Sequence, residues 1–150
     1  QENPSPLAYL QDPDYARSTY DVQLEVALIP EGETKAATIS RSNLRYLYWN
    51  MKQQLVHHSI TGCNMRAGDL LGSGTISGPD VASMGSMLEM SWRGSREIAV
   101  EGGEGSYTQT RKFLKDGDTV VMTGFAQGDG YRIGFGDCTS KVLPAHVFDF

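Results

Sequence analysis

Tyr20-Asp21-Val22-Gln23-Leu24-Glu25-Val26-Ala27-Leu28 alternates with a period of two: Val22, Leu24, Val26 and Leu28 against Asp21, Gln23, Glu25 and Ala27. Successive Cβ atoms of an extended chain point to opposite faces, so this stretch predicts a strand with one face buried. Pro30 to Gly32 turns the chain, and residues 35–40 return as its hairpin partner. After Gly68 the same grammar recurs, with strands expected over residues 69–74, 86–92, 96–100, 111–114, 119–126, 131–135 and 138–143. The 17 glycines in 150 residues follow no period and exceed the usual share of about 7%, which makes them turn formers. One helix interrupts the strands. It is expected to start at an N-cap Ser42, to place Leu44, Leu47, Tyr48, Met51 and Leu55 at helical spacing, and to stop at Gly62. Its apolar stripe should pack on a sheet. The fold class is therefore β-rich α+β, a mixed β-sandwich or roll with one main amphipathic helix.

The length fits one domain. Residues 1–17, with Pro4, Pro6 and Pro13, predict an extended arm lying on another surface, and residues 18–150 the β-rich body. Residues 101–108 hold three glycines, two acids and no aliphatic side chain, the composition of a floppy surface loop. The 13 basic and 18 acidic side chains give a net charge of −5, which supplies no positive field for the phosphates of a nucleic acid. No apolar run approaches the roughly 20 residues of a membrane-spanning helix, and the N-terminus lacks the charged and apolar blocks of a signal peptide. Cys63 and Cys138 are too sparse for a disulfide framework and read as two reduced thiols.

Chemistry concentrates in Gly68-Asp69-Leu70-Leu71-Gly72-Ser73-Gly74-Thr75-Ile76-Ser77-Gly78-Pro79 and Gly85-Ser86-Met87-Leu88-Glu89-Met90-Ser91-Trp92. An apolar strand would deliver a hydroxyl residue onto a glycine-rich loop that a ligand can approach closely, and a second strand would carry one carboxylate. On that strand Glu89 would share a face with Met87 and Ser91, and from the residues alone it reads as a solvated acid. Thr75, likewise, reads as a loop threonine bonding its own backbone. His57 and His58 diverge by about 100° on a helix, too far to share one metal, and with His146 they read as structural. Asp116-Gly117-Asp118 lacks the further oxygen ligands of a calcium loop and predicts a hairpin turn, as does Gln127-Gly128-Asp129-Gly130. There is no Gly-x-Ser-x-Gly elbow, phosphate loop or Cys-x-x-Cys.

These two stretches, together with Tyr46-Leu47-Tyr48-Trp49, Gln53-Gln54-Leu55-Val56-His57-His58-Ser59-Ile60-Thr61-Gly62-Cys63-Asn64, Phe113-Leu114-Lys115-Asp116-Gly117-Asp118 and Gln127-Gly128-Asp129-Gly130-Tyr131-Arg132-Ile133-Gly134-Phe135-Gly136, resemble the C-terminal part of the fumarylacetoacetate hydrolase family. Several long words match in order over nearly the whole chain. The resemblance implies a fold of that family's C-terminal type and hydrolysis of a carbon–carbon bond in a small-molecule β-diketone, the last step of tyrosine breakdown. It implies that Glu89 orients a histidine that activates water, that Thr75 contacts the carboxylate end of the substrate, and that Gly74 and Gly78 form permissive backbone beside it. The histidine and the calcium and magnesium ligands would lie upstream of Gln1, with no metal ligand in this segment. A cytoplasmic homodimer is implied as well. Since Gln1 and not Met opens the chain, and the resemblance covers about the last third of a longer polypeptide, a fragment or processed piece is expected. Its partner would then be the upstream part of its own chain, and the 150 residues alone should be inactive. The rival readings are an acylpyruvate hydrolase or decarboxylase of the same superfamily, and a non-catalytic β-rich interaction domain docking through the proline arm and the Tyr/Trp helix.

Overall fold

The computed structural model describes residue 1 and residues 4–147. The alternating stretch forms β1 (Gln23–Ile29), and its hairpin partner is β2 (Ala37–Asn43). β5 (Thr119–Gln127) lies on the other side of β1, and β6 (Arg132–Lys141) closes the sheet, giving an all-antiparallel order β2-β1-β5-β6. β3 (Ile98–Glu101) and β4 (Thr108–Arg111) make a separate two-stranded hairpin. Two helices complete the regular structure, α1 (Met51–Ser59) and the four-residue α2 (Met87–Met90). The sheet-dominated α+β class is the one the alternation predicts.

Register sets which face is buried. Leu24 pairs with Gly124, Val26 with Met122 and Leu28 with Val120, so the apolar positions of β1 and β5 share one face. At the end of that face Leu28, Ala37 and Val100 are buried together, packed by Ile39, Tyr107 and Val120. β2 is covered instead by the irregular segment that carries the candidate site. Ser40 donates to the Met84 carbonyl at 2.8 Å and Ser42 to the Ile76 carbonyl at 2.9 Å. On the β5–β6 half the face stays open, with Met122, Ile133 and Phe135 exposed.

Several sequence expectations are corrected here. Ser42 belongs to β2 and caps no helix. A short 3-10 turn, Leu44–Tyr46, follows, and the true N-cap of α1 is Asn50, which accepts from the Gln53 amide while the Gln53 side chain accepts from the Asn50 amide. That reciprocal pair satisfies two donors at once, which Ser42 could not do from inside a strand ladder. Nor does α1 lay a stripe on the sheet, since Met51, Leu55 and Val56 are exposed. Residues 131–135 and 138–143 are not separate strands: β6 runs through Gly136, whose φ of +74° absorbs an irregularity opposite Gly124. The strand expected over 111–114 ends at Arg111, and the supposed floppy loop over 101–108 contains a 3-10 turn, Gly103–Gly105. Gln127 to Gly130 does form the β5–β6 hairpin turn, closed by Gly128 N–H on the Tyr131 carbonyl at 2.9 Å.

The turn at residues 115–118 joins strands of different sheets, so it is no hairpin. Asp118 is fully buried and takes two bonds from Arg111, Nε to Oδ2 and Nη2 to Oδ1, each 2.9 Å, plus the Lys115 amide at 2.9 Å. A bidentate pair of this kind binds the β3–β4 hairpin to the start of β5.

The arm folds where an extended run was expected. Two 3-10 turns, Ala8–Leu10 and Tyr15–Arg17, lay it against α1. Gln53 Nε2 donates to the Leu10 carbonyl at 2.7 Å, and Asp12 accepts from Lys52 Nζ and from Asn50 Nδ2 at 2.8 Å. Lys52 is the main cause that lowers the Asp12 carboxyl from its ordinary 3.8 to about 2. A depressed folded value stabilises docking above the ordinary value and loses it as pH falls through the lower one. The arm is therefore expected to stay fully docked at pH 4 and to loosen as pH falls towards 2, where Asp12 is protonated. Fluorescence of Trp49, beside the cap, reads this release, and loss of docking already at pH 5 would refute the assignment.

Candidate active site

Glu89 lies on a helix, and the expected strand over residues 86–92 is absent. The cause is local: Ser86 takes an extended N-cap conformation and its Oγ accepts the Glu89 amide at 3.3 Å. Ser-x-x-Glu at residues 86–89 is the sequence pattern of a helix start, and it outweighs the alternation of Met87, Glu89 and Ser91. After Met90 the chain reverses through Trp92, Arg93 and Gly94, all at positive φ, with Ser91 Oγ accepting the Gly94 amide at 2.9 Å. That reversal keeps α2 to a single turn.

The expected strand over 69–74 is likewise absent. Residues 69–79 are irregular, and Leu70 is 98% exposed, because this segment finds no neighbouring strand to pair with. The loop carrying Thr75 is nonetheless held firmly from Ile76 onward. The Ile76 carbonyl is bonded by Ser42, and Gly78 N–H donates to the Ser83 carbonyl at 2.8 Å. A Cβ on Gly78 would stand 2.5 Å from Ser83 Oγ and 2.7 Å from the Tyr46 ring, and one on Gly85 would stand 2.6 Å from Ile76 N. Gly74 sits at φ +79°. Two glycines thus permit close packing, and one a left-handed turn.

These packed strands of loop bring the carboxylate to the Thr75 segment. Ser77 Oγ donates to Glu89, lying 2.9 Å from Oε1 and 2.8 Å from Oε2, and Ser86 Oγ donates to Oε2 at 3.0 Å. Ser77 is two residues beyond Thr75, so Glu89 and Thr75 belong to one local unit. Both are exposed. Thr75 is thereby available to a ligand. Sequence reasoning named Glu89 and Thr75 but passed over Ser77 and Ser86; Ser86 was signalled by the Ser-x-x-Glu pattern, whereas Ser77 reaches the carboxylate only when the loop folds over α2.

Other chemistry-bearing groups are engaged elsewhere. His57 Nδ1 meets the Tyr9 hydroxyl at 3.1 Å, and His58 Nε2 meets Cys63 Sγ at 3.4 Å. Cys63 and Cys138 are free thiols, and both are exposed. Among the described residues no three His, Cys, Asp or Glu side chains converge to hold a metal ion, and no helix is long and apolar enough to cross a membrane. A cleft of about 440 Å³ opens on the polar face of the sheet, where Arg132 stacks 3.7 Å over the Phe125 ring beside Arg41 and Glu25. Neither Glu89 nor Thr75 lines it. Shape alone favours that cleft. The carboxylate held by two serine hydroxyls and the exposed Thr75 hydroxyl make the Thr75–Glu89 unit the candidate site.

The family model described as fumarylacetoacetate (FAA) hydrolase C-terminal matches residues 5–143. The fumarylacetoacetase of Bos taurus is 60% identical over 149 residues, which cover 99% of this chain and 34% of that protein. The human fumarylacetoacetase is 57% identical over 146 residues, covering 97% and 33%, and that of Arabidopsis thaliana 45% over 145, covering 97% and 32%. The chain spans about a third of the length of the curated relatives it matches. With a β-rich body of the expected class and a match that runs across nearly all of it, the chain belongs to the fumarylacetoacetate hydrolase family.

Proposed function

We propose that this chain is part of a fumarylacetoacetase, a hydrolase that splits 4-fumarylacetoacetate into fumarate and acetoacetate, and that it contributes Glu89 and Thr75 to the active site. Support comes from 60% identity to the fumarylacetoacetase of Bos taurus across 99% of the chain. The single structural observation that carries it is the Glu89 carboxylate fixed by Ser77 and Ser86 beside the Thr75 loop.

Hydrolysis of a β-diketone adds the oxygen of water to one carbonyl carbon. The bond from that carbon to the α-carbon between the two carbonyls then breaks, its electron pair is left on the α-carbon and delocalised onto the second carbonyl as an enolate, and the α-carbon takes up a proton, giving a carboxylate and a ketone. Glu89 serves this sequence indirectly. Bonded to one imidazole nitrogen, a carboxylate fixes the tautomer of the base and stabilises the imidazolium formed when water gives up its proton. As the family resemblance implies, the imidazole is assigned to polypeptide preceding residue 1. Thr75 donates its hydroxyl to a substrate carboxylate, and the open backbone at Gly74 lets that group approach, whereas Gly78 makes room for Ser83 and the Tyr46 ring. Calcium, magnesium, a homodimeric assembly and a cytoplasmic setting belong to the same proposal. As the resemblance implies, the ligands of both ions are assigned to polypeptide preceding residue 1, and no step here is routed through them.

The test is hydrolysis by the full-length protein, followed as loss of diketone absorbance. Turnover supports the assignment; a full-length protein that consumes only acylpyruvates, or nothing, overturns it. Thr75→Val removes a contact made equally to ground and transition states, so KM is expected to rise by about 10-fold with kcat within about 2-fold. An unchanged KM would remove Thr75 from the substrate site.

A further inference from the structure

Ser77 has only one direction in which to send its proton. Its Oγ accepts the Gly85 amide at 3.0 Å and faces both oxygens of Glu89. A carboxylate can only accept, so the hydroxyl hydrogen goes to it. Ser86 is arranged in the same way, its oxygen taking the Glu89 amide and its proton going to Oε2. Oε2 therefore faces two hydroxyls, while Oε1 faces Ser77 alone and keeps the larger accepting capacity.

Ser77 also ties together segments that are otherwise separate. It follows Ile76, whose carbonyl Ser42 of β2 holds, and its bond to Gly85 N–H closes the 76–85 loop just ahead of α2. The packing there is tight enough that a side chain at Gly85 would strike the Ile76 backbone. Ser77 thus links the Thr75 loop to the carboxylate.

We infer that Ser77 is a positioning residue: it joins the Glu89 carboxylate to the Thr75 loop and leaves Oε1 as the oxygen offered to the catalytic imidazole. The inference rests on the role proposed for Glu89 and adds a residue and an oxygen to it. A serine with a purely structural role would alter stability without depending on the charge of Glu89. A positioning serine acts only through that charge.

A double-mutant cycle in the full-length protein separates the two. Ser77→Ala is expected to lower kcat by about 10- to 100-fold, the loss typical of a hydrogen bond to a charged group, with KM changed by less than about 3-fold. In a Glu89→Gln background the same substitution should change kcat by less than about 3-fold, because the charge it steadied is gone. Ser77→Thr keeps the hydroxyl and should restore most of the rate. Ser77→Cys fills the position with a weak donor, and it carries the cycle if the alanine variant does not fold. Wild-type kcat in both the Ala and Cys variants, or penalties that multiply in the double variant, would overturn the positioning role while leaving Glu89 in place. Wild-type kcat in Glu89→Gln alone would remove the Glu89 role itself, and the inference with it.

Discussion

Replacing Glu89 by Gln in the full-length protein is expected to lower kcat by about 10²–10⁴-fold. The substitution keeps the shape of the side chain and removes its charge. It also turns one of the two acceptors into a donor, so an imidazole N–H facing it loses its partner or adopts the wrong tautomer. Because Glu89 is exposed and is held by two serine hydroxyls on a one-turn helix, the change should leave folding intact. Unfolding curves of the two proteins should coincide. A variant that turns over like the wild type removes Glu89 from the mechanism, and one that fails to fold points to a structural carboxylate instead.

The largest effect on stability is expected at Asp118. It is fully buried, its partner Arg111 is only 6% exposed, and no surrounding water can take over if the carboxylate is lost. Asp118→Ala leaves a guanidinium buried with bonds only to the Thr110 carbonyl and Gln109, and strands the Lys115 amide. Breaking a buried pair in this way costs about 3–5 kcal/mol. Urea denaturation should show it as a lower midpoint at nearly constant slope. A loss below about 1 kcal/mol would mean that Arg111 escapes to solvent and that the pair does not bind the β3–β4 hairpin to the sheet. The Arg111 guanidinium holds the Asp118 carboxyl below its ordinary 3.8. Its contribution is therefore complete above that ordinary value and is lost only as pH falls through the depressed one, which places acid unfolding of this region below pH 4.

How much of this was legible in the sequence depended on whether the signal was local or tertiary. β1 followed from alternation, because a half-buried strand writes its period directly into the chain, β2 from the turn after it, and β5 from an apolar run bounded by turn residues. The two helices were written locally as well, as Asn50-x-x-Gln53 and Ser86-x-x-Glu89, but a stronger-looking apolar spacing from Ser42 and a strand-like alternation over residues 86–92 masked them. Leu70 and Leu71 suggested a strand that needed a partner, and pairing is a tertiary fact no short window contains. Continuity of β6 through Gly136 was hidden for a similar reason: a bulge and a chain break look alike until the opposite strand is known.

The candidate site divides along the same line. Glu89 and Thr75 became visible through family resemblance, while the residue types alone favoured a solvated acid and an ordinary loop hydroxyl. Ser77 had no advance signal of comparable strength, since its role appears only when the 74–78 loop folds back over the N-terminus of α2. The Arg111–Asp118 pair was obscured by the apparent calcium-loop composition of residues 116–118.

The most direct test is a crystal structure of the full-length protein with a non-hydrolysable diketone analogue bound. The expected result is a ligand carboxylate at about 3 Å from the Thr75 hydroxyl and a histidine ring nitrogen at hydrogen-bond distance from Glu89 Oε1. An analogue bound instead in the cleft between Arg132, Phe125 and Arg41, with the Glu89 carboxylate facing bulk solvent, would contradict the account.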